Sequence, residues 1–401
     1  LVILSSTGYN TYSKFQINSD FELKQNLDFI TKGLSFKGKI SLDNYMQSRQ
    51  RLQDPSINQI HNVFYRVYDK EGNETIVSPP GNNDFDFVVQ PWTLEDTEVQ
   101  DAERTRRLNY EFSLLYNRVF AEKHNFTALF LMKREKFTED DNPQDDDAGI
   151  YGGFPSFRED WVGRFTYDYD NRYFLDVNGA YNGSEKFGPG YRFDLFPSVA
   201  LGWMISNEAF MGNMIWLDKL KIRGSYGLVG NDKFLNEDKS PRRFKYISSW
   251  SHGGAAYLVP SSFGNLSPYE WYEQSTVGNS DLQWETSRKS NIGVEFAMLR
   301  NMFSVEFDYF MENRDNIMIY GKDRSVPEIF GIAPPDFNAG EVEVKGYELV
   351  LGFNHYFSNG ITVHANYSIT DAKDKVIYAE DPGFTPDYQK KAGYPIDQPI
   401  N

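Results

Sequence analysis

Five histidines are the residues best suited to metal ligation or general base chemistry, and they are scattered along the chain. His355 and His364 lie closest to one another. A turn that pairs Phe357 with Ile361 places the two on opposite faces of a hairpin, so they do not share a metal. There is no cysteine, which removes disulfides and thiolate metal sites. Neither a G-x-S-x-G elbow nor an H-E-x-x-H motif occurs, and nothing in the residue pattern supports an enzyme. The acidic run of Glu139, Asp140, Asp141, Asp145, Asp146 and Asp147 offers carboxylate oxygens of the kind Ca²⁺ prefers. However, Asp145-Asp146-Asp147-Ala148-Gly149 lacks the spacing of a calcium loop and reads as a solvated acidic loop. The run from Gly224 through Gly227 to Gly230 follows a strand, as a phosphate-binding loop would, but no helix opens after it. These read as strand-end glycines. No metal and no cofactor is expected.

Aromatic side chains are the better candidates. Trp250, Tyr257, Tyr269, Trp271 and Tyr272 all fall in one long irregular stretch, 231–283. Flat rings stack on the apolar face of a sugar or pack against a peptide, so these five are the candidate substrate-binding residues. The competing role is packing of loop against loop, or against a partner protein.

The elements that would position such loops are visible as alternating strands. In 158–182, Trp161, Phe165, Tyr167 and Tyr169 fall on one parity, opposite Val162, Arg164, Thr166 and Asp168. After a turn at Asp170-Asn171-Arg172, Tyr173, Leu175, Val177 and Tyr181 resume the apolar parity, with Asp176 and Asn178 opposite. Pairing Tyr169 with Tyr173 puts both apolar sets on one side of the hairpin. The pattern recurs: Phe15 to Leu23 with Phe36 to Leu42, Tyr110 to Tyr116 with Phe126 to Met132, and Val199 to Ile205 with Leu220 to Leu228. It appears again in Ile292 to Phe296 with Phe303 to Tyr309, and in Tyr347 to Phe353 with Ile361 to Ile369. Between Ile205 and Leu220, Ser206 reads as the cap of one short helix with Glu208 in its first turn. Beyond Thr370 the chain becomes polar and bears prolines.

This makes about twelve strands, joined by short turns at one end and long loops at the other, near 49–103, 135–157, 231–283 and 313–338. Aromatics reach 16% of a chain of 401 residues whose formal charge is −16, without any run long enough for a membrane-spanning helix. Net acidity argues against nucleic acid as a partner. Sorted connections and one apolar face per hairpin are the pattern of an all-β transmembrane antiparallel β-barrel, the whole of 1–401 being part of one barrel domain. Its apolar parity would face outer-membrane lipid, and Trp161, Tyr181, Trp203 and Tyr226 would sit at the interfaces. A soluble β-rich glycan-binding surface protein is the alternative from another class. It predicts polar residues on both sheet faces beyond the core, which the aromatic bands at 161–181 and 347–369 contradict. The opening Leu1-Val2-Ile3-Leu4 is not a signal peptide, and the chain reads as an excerpt of a longer polypeptide.

Several stretches resemble the SusC/RagA family of TonB-dependent outer-membrane transporters. They are Asn18-Ser19-Asp20-Phe21-Glu22-Leu23, Thr31-Lys32-Gly33-Leu34-Ser35-Phe36, Arg192-Phe193-Asp194-Leu195-Phe196-Pro197-Ser198 and Gly202-Trp203-Met204-Ile205-Ser206-Asn207-Glu208. Leu220-Lys221-Ile222-Arg223-Gly224-Ser225-Tyr226-Gly227, Trp284-Glu285-Thr286 and Asn338-Ala339-Gly340 to Gly346-Tyr347-Glu348 complete the series, in order along the chain. The resemblance implies the central part of a barrel of about 22 strands, without its plug domain and C-terminal strands. It implies a bacterial outer-membrane importer of oligosaccharides or peptides, with a SusD-like lipoprotein and TonB as partners, TonB acting through the missing N-terminal region. Arg164, Asp168, Asp176, Asn178, Glu306, Asp308, Asn354 and His364 would then face the lumen and contact plug or substrate. A siderophore or cobalamin receptor is the alternative within the same architecture.

Overall fold

The computed structural model describes residues 9–52, 67–68, 71, 74–75, 98–140, 154–234, 243–255, 270–327, 329 and 331–397. Twelve strands form one antiparallel sheet. They are β1 (Tyr9–Asn26), β2 (Leu34–Leu52), β5 (Glu98–Phe120), β6 (His124–Asp140), β7 (Ser156–Tyr169), β8 (Tyr173–Ser184), β9 (Phe193–Met204), β10 (Leu217–Asn231), β13 (Glu285–Met298), β14 (Phe303–Ile319), β15 (Phe337–Tyr356) and β16 (Thr362–Tyr378). Each pairs with the next of the twelve in chain order. Two small ladders stand apart, β3 (Val67–Tyr68) with β4 (Glu74–Thr75), and β11 (Ser249–Ala255) with β12 (Glu270–Thr276). Two compact units are distinguished: Leu1–Asp20, Ser41–Leu108 and Lys136–Ser156 form one, and Phe21–Ile40, Asn109–Glu135 and Phe157–Asn401 the other.

Register carries the alternation across the larger unit. Tyr169, Tyr173, Trp203, Ile222, Val294, Phe307, Leu349 and Ile369 stand directly opposite one another from β7 to β16. This apolar row is substantially exposed: Trp203, Ile222 and Phe307 remain about two-fifths accessible. One residue along, the opposite face reads Asp168, Phe174, Gly202, Arg223, Gly293, Asp308, Glu348 and Thr370. A sheet with an exposed apolar face and a polar face is the inverse of a soluble half-sheet, and it suits lipid on one side and water on the other.

The turn expected at Asp170-Asn171-Arg172 holds, Tyr169 pairing with Tyr173, and Met298 pairs with Phe303 across the connection 299–302. Asp170 and Asn171, and Leu299, Arg300 and Asn301, take left-handed backbone conformations. Side chains offset that strain: Asp168 Oδ1 accepts from Asn171 N at 2.8 Å, and Asp218 Oδ2 from Asn301 N at 2.8 Å.

Four expectations are corrected. No helix capped by Ser206 forms. Two 3₁₀ turns, Ile205–Asn207 and Ala209–Met211, occupy the segment without a side-chain cap, and Ser206 Oγ is buried with no hydrogen-bond partner among the described residues. Glu208 lies between the turns, where its carboxylate is recruited by Trp203 instead. The 231–283 stretch is not irregular throughout, since β11 and β12 lie within it. The loops expected at 49–103, 135–157 and 313–338 are shorter, because ladder hydrogen bonding carries β2, β5, β6, β14 and β15 beyond the alternating apolar residues. Likewise β16 runs on to Tyr378, despite its polar sequence.

Ile222→Arg in the apolar row would set a charge in lipid, at a cost of about 2–4 kcal/mol near the bilayer midplane. Ser225→Arg, on the opposite face, should leave stability nearly unchanged. Urea unfolding of the full-length protein in bilayers separates the two. Equal effects would mean the faces are assigned wrongly.

Candidate functional site

Polar side chains gather on the non-lipid face near the short turns. Arg164 Nη2 donates to Asp176 Oδ2 at 2.6 Å, and Asn178 Nδ2 to Asp176 Oδ1 at 2.8 Å. Asp168 Oδ2 accepts from Asn125 Nδ2 at 3.1 Å. Asn354 Oδ1 lies 2.7 Å from His364 Nδ1, directly across the β15–β16 pair. His355 is on the other face and touches Met302 Sδ, so the two histidines do not converge. Glu306 shares the polar face with Asp308, two residues away. Of the eight expected lumen residues, the structure thus joins Arg164, Asp176 and Asn178 in one cluster and Asn354 with His364 in another.

A charge network joins the expected Asp308 to Arg223, Glu295 and Lys219, which were not among the expected site residues. Arg223 Nη2 donates to Asp308 Oδ2 at 2.6 Å, Arg223 Nε lies 3.4 Å from Glu295, and Lys219 Nζ also pairs with Glu295. Gly293 stands between Arg223 and Asp308 in the row. A Cβ there would lie 2.4 Å from Asp308 Oδ1 and 2.7 Å from Arg223 Nε, so the glycine leaves the passage through which the bridge forms. Asp308 Oδ1 and Asn109 Oδ1 are buried with no hydrogen-bond partner among the described residues. The available signal was parity: Arg223 and Glu295 alternate with Ile222 and Val294.

At the opposite ends of these strands, loops build a small core. Phe187, Phe196, Phe234, Leu282, Trp284 and Met318 pack together, with Phe187 fully buried and Trp284 2% exposed. Trp284 Nε1 donates to Arg192 O, and Glu285 accepts from Met318 N at 2.9 Å and from Asn231 Nδ2 at 2.6 Å. Asn338 donates to the carbonyls of Gln283 and Asn316 and accepts from Gln283 N. The motifs at Trp284-Glu285 and Asn338 are therefore braces for the loop bases.

From that base rises the β11–β12 hairpin with three of the expected aromatic residues. Trp250 pairs with Gln274 and His252 with Tyr272, so Trp250, His252 and Tyr272 share a face. Trp250 and Tyr272 are about three-fifths exposed, and His252 lies 5.2 Å from the Tyr272 ring. Trp271 belongs to the other face, where its indole lies against Gly253 at the bulge. Tyr257 and Tyr269 fall outside the described residues, as do Asp141 and Asp145 to Asp147 of the acidic run. Among the described residues no cluster of three metal-ligating side chains occurs.

Sequence and shape comparisons agree with this architecture. An antiparallel sheet with an apolar outer row, a polar inner row, short turns and long braced loops is the wall of an outer-membrane β-barrel. The family model for the TonB dependent receptor-like β-barrel matches residues 4–399, and the chain belongs to that family. It is 23% identical to TonB-dependent receptor P39 of Formosa agariphila over 329 residues, 76% of this chain and 29% of that protein. It is 26% identical to TonB-dependent receptor SusC of Bacteroides thetaiotaomicron over 244 residues, 60% of this chain and 23% of that protein. The chain thus spans less than a third of these relatives. In shape it is similar to the RagAB peptide transporter, with a TM-score of 0.62 at 18% identity over 98% of this chain and 40% of that one.

Two consequences are measurable in the full-length protein. Gly293→Ala should displace Asp308 from Arg223 and lower stability by about 1–3 kcal/mol, as overpacking does. The readout is the temperature at which the detergent-solubilised barrel loses its folded mobility on a gel. Glu208, in the connection between β9 and β10, is held below the ordinary carboxylate range by hydrogen bonds from Tyr173 and Trp203, with Arg172 adding charge attraction. Because its folded pKa is depressed, its contribution is complete above the unfolded value, about 4.3, and is lost as pH falls through the folded one. The melting temperature should therefore fall in that acid range, and Glu208→Gln should flatten that part of the profile.

Proposed function

We propose that this chain is the central wall of an energised outer-membrane importer that takes up oligosaccharides, or peptides, handed to it by a SusD-like lipoprotein. The observation that carries the reading is membership of the TonB-dependent receptor barrel family by a sheet with one lipid-compatible and one polar face. In this reading TonB energises transport through a plug held inside the barrel, and the substrate undergoes no covalent change. Arg164, Asp168, Asp176, Asn178, Glu306, Asp308, Asn354 and His364 face the lumen. Because they cluster toward the short turns, they hold the plug rather than the incoming substrate.

Toward the long loops the reading assigns substrate contact or partner contact to the hairpin rings. Trp250 and Tyr272 offer a shared exposed face, while Trp271 packs across its own hairpin. Tyr257 and Tyr269 belong to the same candidate set. The solved RagAB complex is a peptide transporter, which supports a bulky hydrophilic nutrient as cargo without deciding between sugar and peptide.

The test is purification of the full-length protein from outer membranes in detergent, followed by mass spectrometry of its partners. A stoichiometric lipoprotein, together with lost growth on one glycan or peptide source when the gene is deleted, is the expected result. Recovery without a lipoprotein, and no growth defect on any polymeric nutrient, would overturn the reading.

A further inference from the structure

The lipid-facing side of β14, β15 and β16 changes character at one level. On β16 its positions are Val363, Ala365, Tyr367 and Ile369, then Asp371, Lys373 and Lys375. On β15 they are Phe353, Leu351, Leu349 and Tyr347, then Lys345 and Glu343. Tyr309 of β14 stands directly opposite Tyr347, so two rings mark the boundary. From Val363 to Lys373 the strand climbs roughly 33 Å at about 3.3 Å per residue. At a tilt of about 40° that is about 25 Å of height, the extent of the apolar band of an outer-membrane barrel. The lysines therefore stand just beyond the band, at the headgroup level on the long-loop side.

Register sets like charges together there. Lys345 faces Lys373 directly across the ladder, and Lys375 follows on the same face opposite Glu343. Ammonium groups so placed repel one another. Glu343 Oε1 lies 2.7 Å from Lys345 Nζ and offsets one of the three charges, whereas Lys373 and Lys375 have no ion-pair partner among the described residues. With Tyr309, Tyr347 and Asp371, the lysines border a groove of about 440 Å³. Gly393 and Pro395 close its flank, where Gly393 N donates to Val376 O at 2.7 Å and Val376 N to Tyr394 O at 2.8 Å. Asp374 reaches the rim from the opposite parity, but its carboxylate is engaged, accepting from Ile396 N at 2.6 Å.

We propose that this groove docks the phosphorylated sugar headgroup of an outer-leaflet glycolipid, its phosphate seated between Lys373 and Lys375 and beside Lys345. Ammonium groups bind phosphate as point charges, and an anion placed among them removes the repulsion that register imposes. Asp371 lies on the apolar side of the lysines, where its carboxylate accepts from a hydroxyl or amide N–H of the sugar. Tyr309 and Tyr347 give that sugar and the first methylenes of its acyl chains ring faces at the interface. Orientation agrees, because long loops mark the outer surface of such a barrel, and the outer leaflet there presents phosphorylated glycolipid. Every side chain in this assignment faces lipid, so it does not depend on what passes through the lumen.

The experiment uses the full-length protein, delipidated in detergent, with folded gel mobility confirming each barrel. Native mass spectrometry follows its titration with monophosphoryl lipid A, the same lipid dephosphorylated, phosphatidylglycerol and inorganic phosphate. Wild type should retain the monophosphoryl lipid in preference to the other three. Replacing both lysines, Lys373→Gln with Lys375→Gln, should weaken that binding roughly 25-fold, from about fivefold for each lysine beside a charged membrane surface. Lys233→Gln, at an exposed lysine just after β10, should leave it unchanged. If the double variant does not fold, each single variant is read against the fivefold step. Equal retention of the lipid with and without its phosphate, or undiminished affinity in the lysine variants, would overturn the site. Equal retention of phosphatidylglycerol would overturn the glycolipid assignment, and retention of inorganic phosphate at the same concentration would overturn it in favour of a free-phosphate site.

Discussion

Everything in this chain depends on strand register. In a bilayer no water is available to satisfy peptide groups, so every N–H and C=O of a spanning strand must meet a neighbour. The side-chain period is two, so a slip of one residue would exchange the rows. The row from Tyr169 to Ile369 would turn inward, and Arg223, Asp308 and Glu348 would turn to lipid. Burial does not set this register, since few side chains are buried. The contrast between two solvents sets it, and tight turns such as Asp170-Asn171-Arg172 fix it locally.

Because the sheet supplies no interior of its own, packing energy is concentrated where the loops meet. Phe187, Phe196, Phe234, Leu282, Trp284 and Met318 form a core at the loop bases. Asn338 and Glu285 satisfy backbone groups that would otherwise be stranded there. Gly230 belongs to the same arrangement, because a Cβ would enter the Phe196 ring. Gly227, whose Cβ would meet Ser198, and Gly230 are thus packing notches within β10, whereas Gly224 has ordinary space beside it, and the family-like motifs at Trp284-Glu285 and Asn338 are largely structural. Their value to function is indirect: they fix the loop bases from which the longer connections leave.

Toward the short turns the polar face is charged and cross-linked, with Arg223, Glu295 and Asp308 in one network and Arg164 with Asp176 in another. In each network a carboxylate of one strand meets a guanidinium of another, so the ion pairs fix side-chain orientation across the ladder as well as balancing charge.

The amino-acid sequence by itself determined the strands, their faces and most turns, because alternation in a two-solvent sheet is a local, period-two signal that survives without any tertiary information. Phe15 against Gln16, or Ile222 against Arg223, is enough to assign a face. It also carried the family likeness, and it marked the Trp250–Tyr272 stretch as a candidate for recognition. The tertiary structure alone decided which polar residues meet. Gln16, Asp43, Arg107 and Phe137 come from four strands, of which β2 and β5 are separated by a long connection, and Arg223 reaches Asp308 only because Gly293 lies between them. It also decided where the strands end, since ladder hydrogen bonds extend β2, β14 and β16 into polar sequence that alternation cannot report. Hydrogen bonding between strands is indifferent to side chains, so it leaves no trace in composition, and non-local convergence leaves none in spacing.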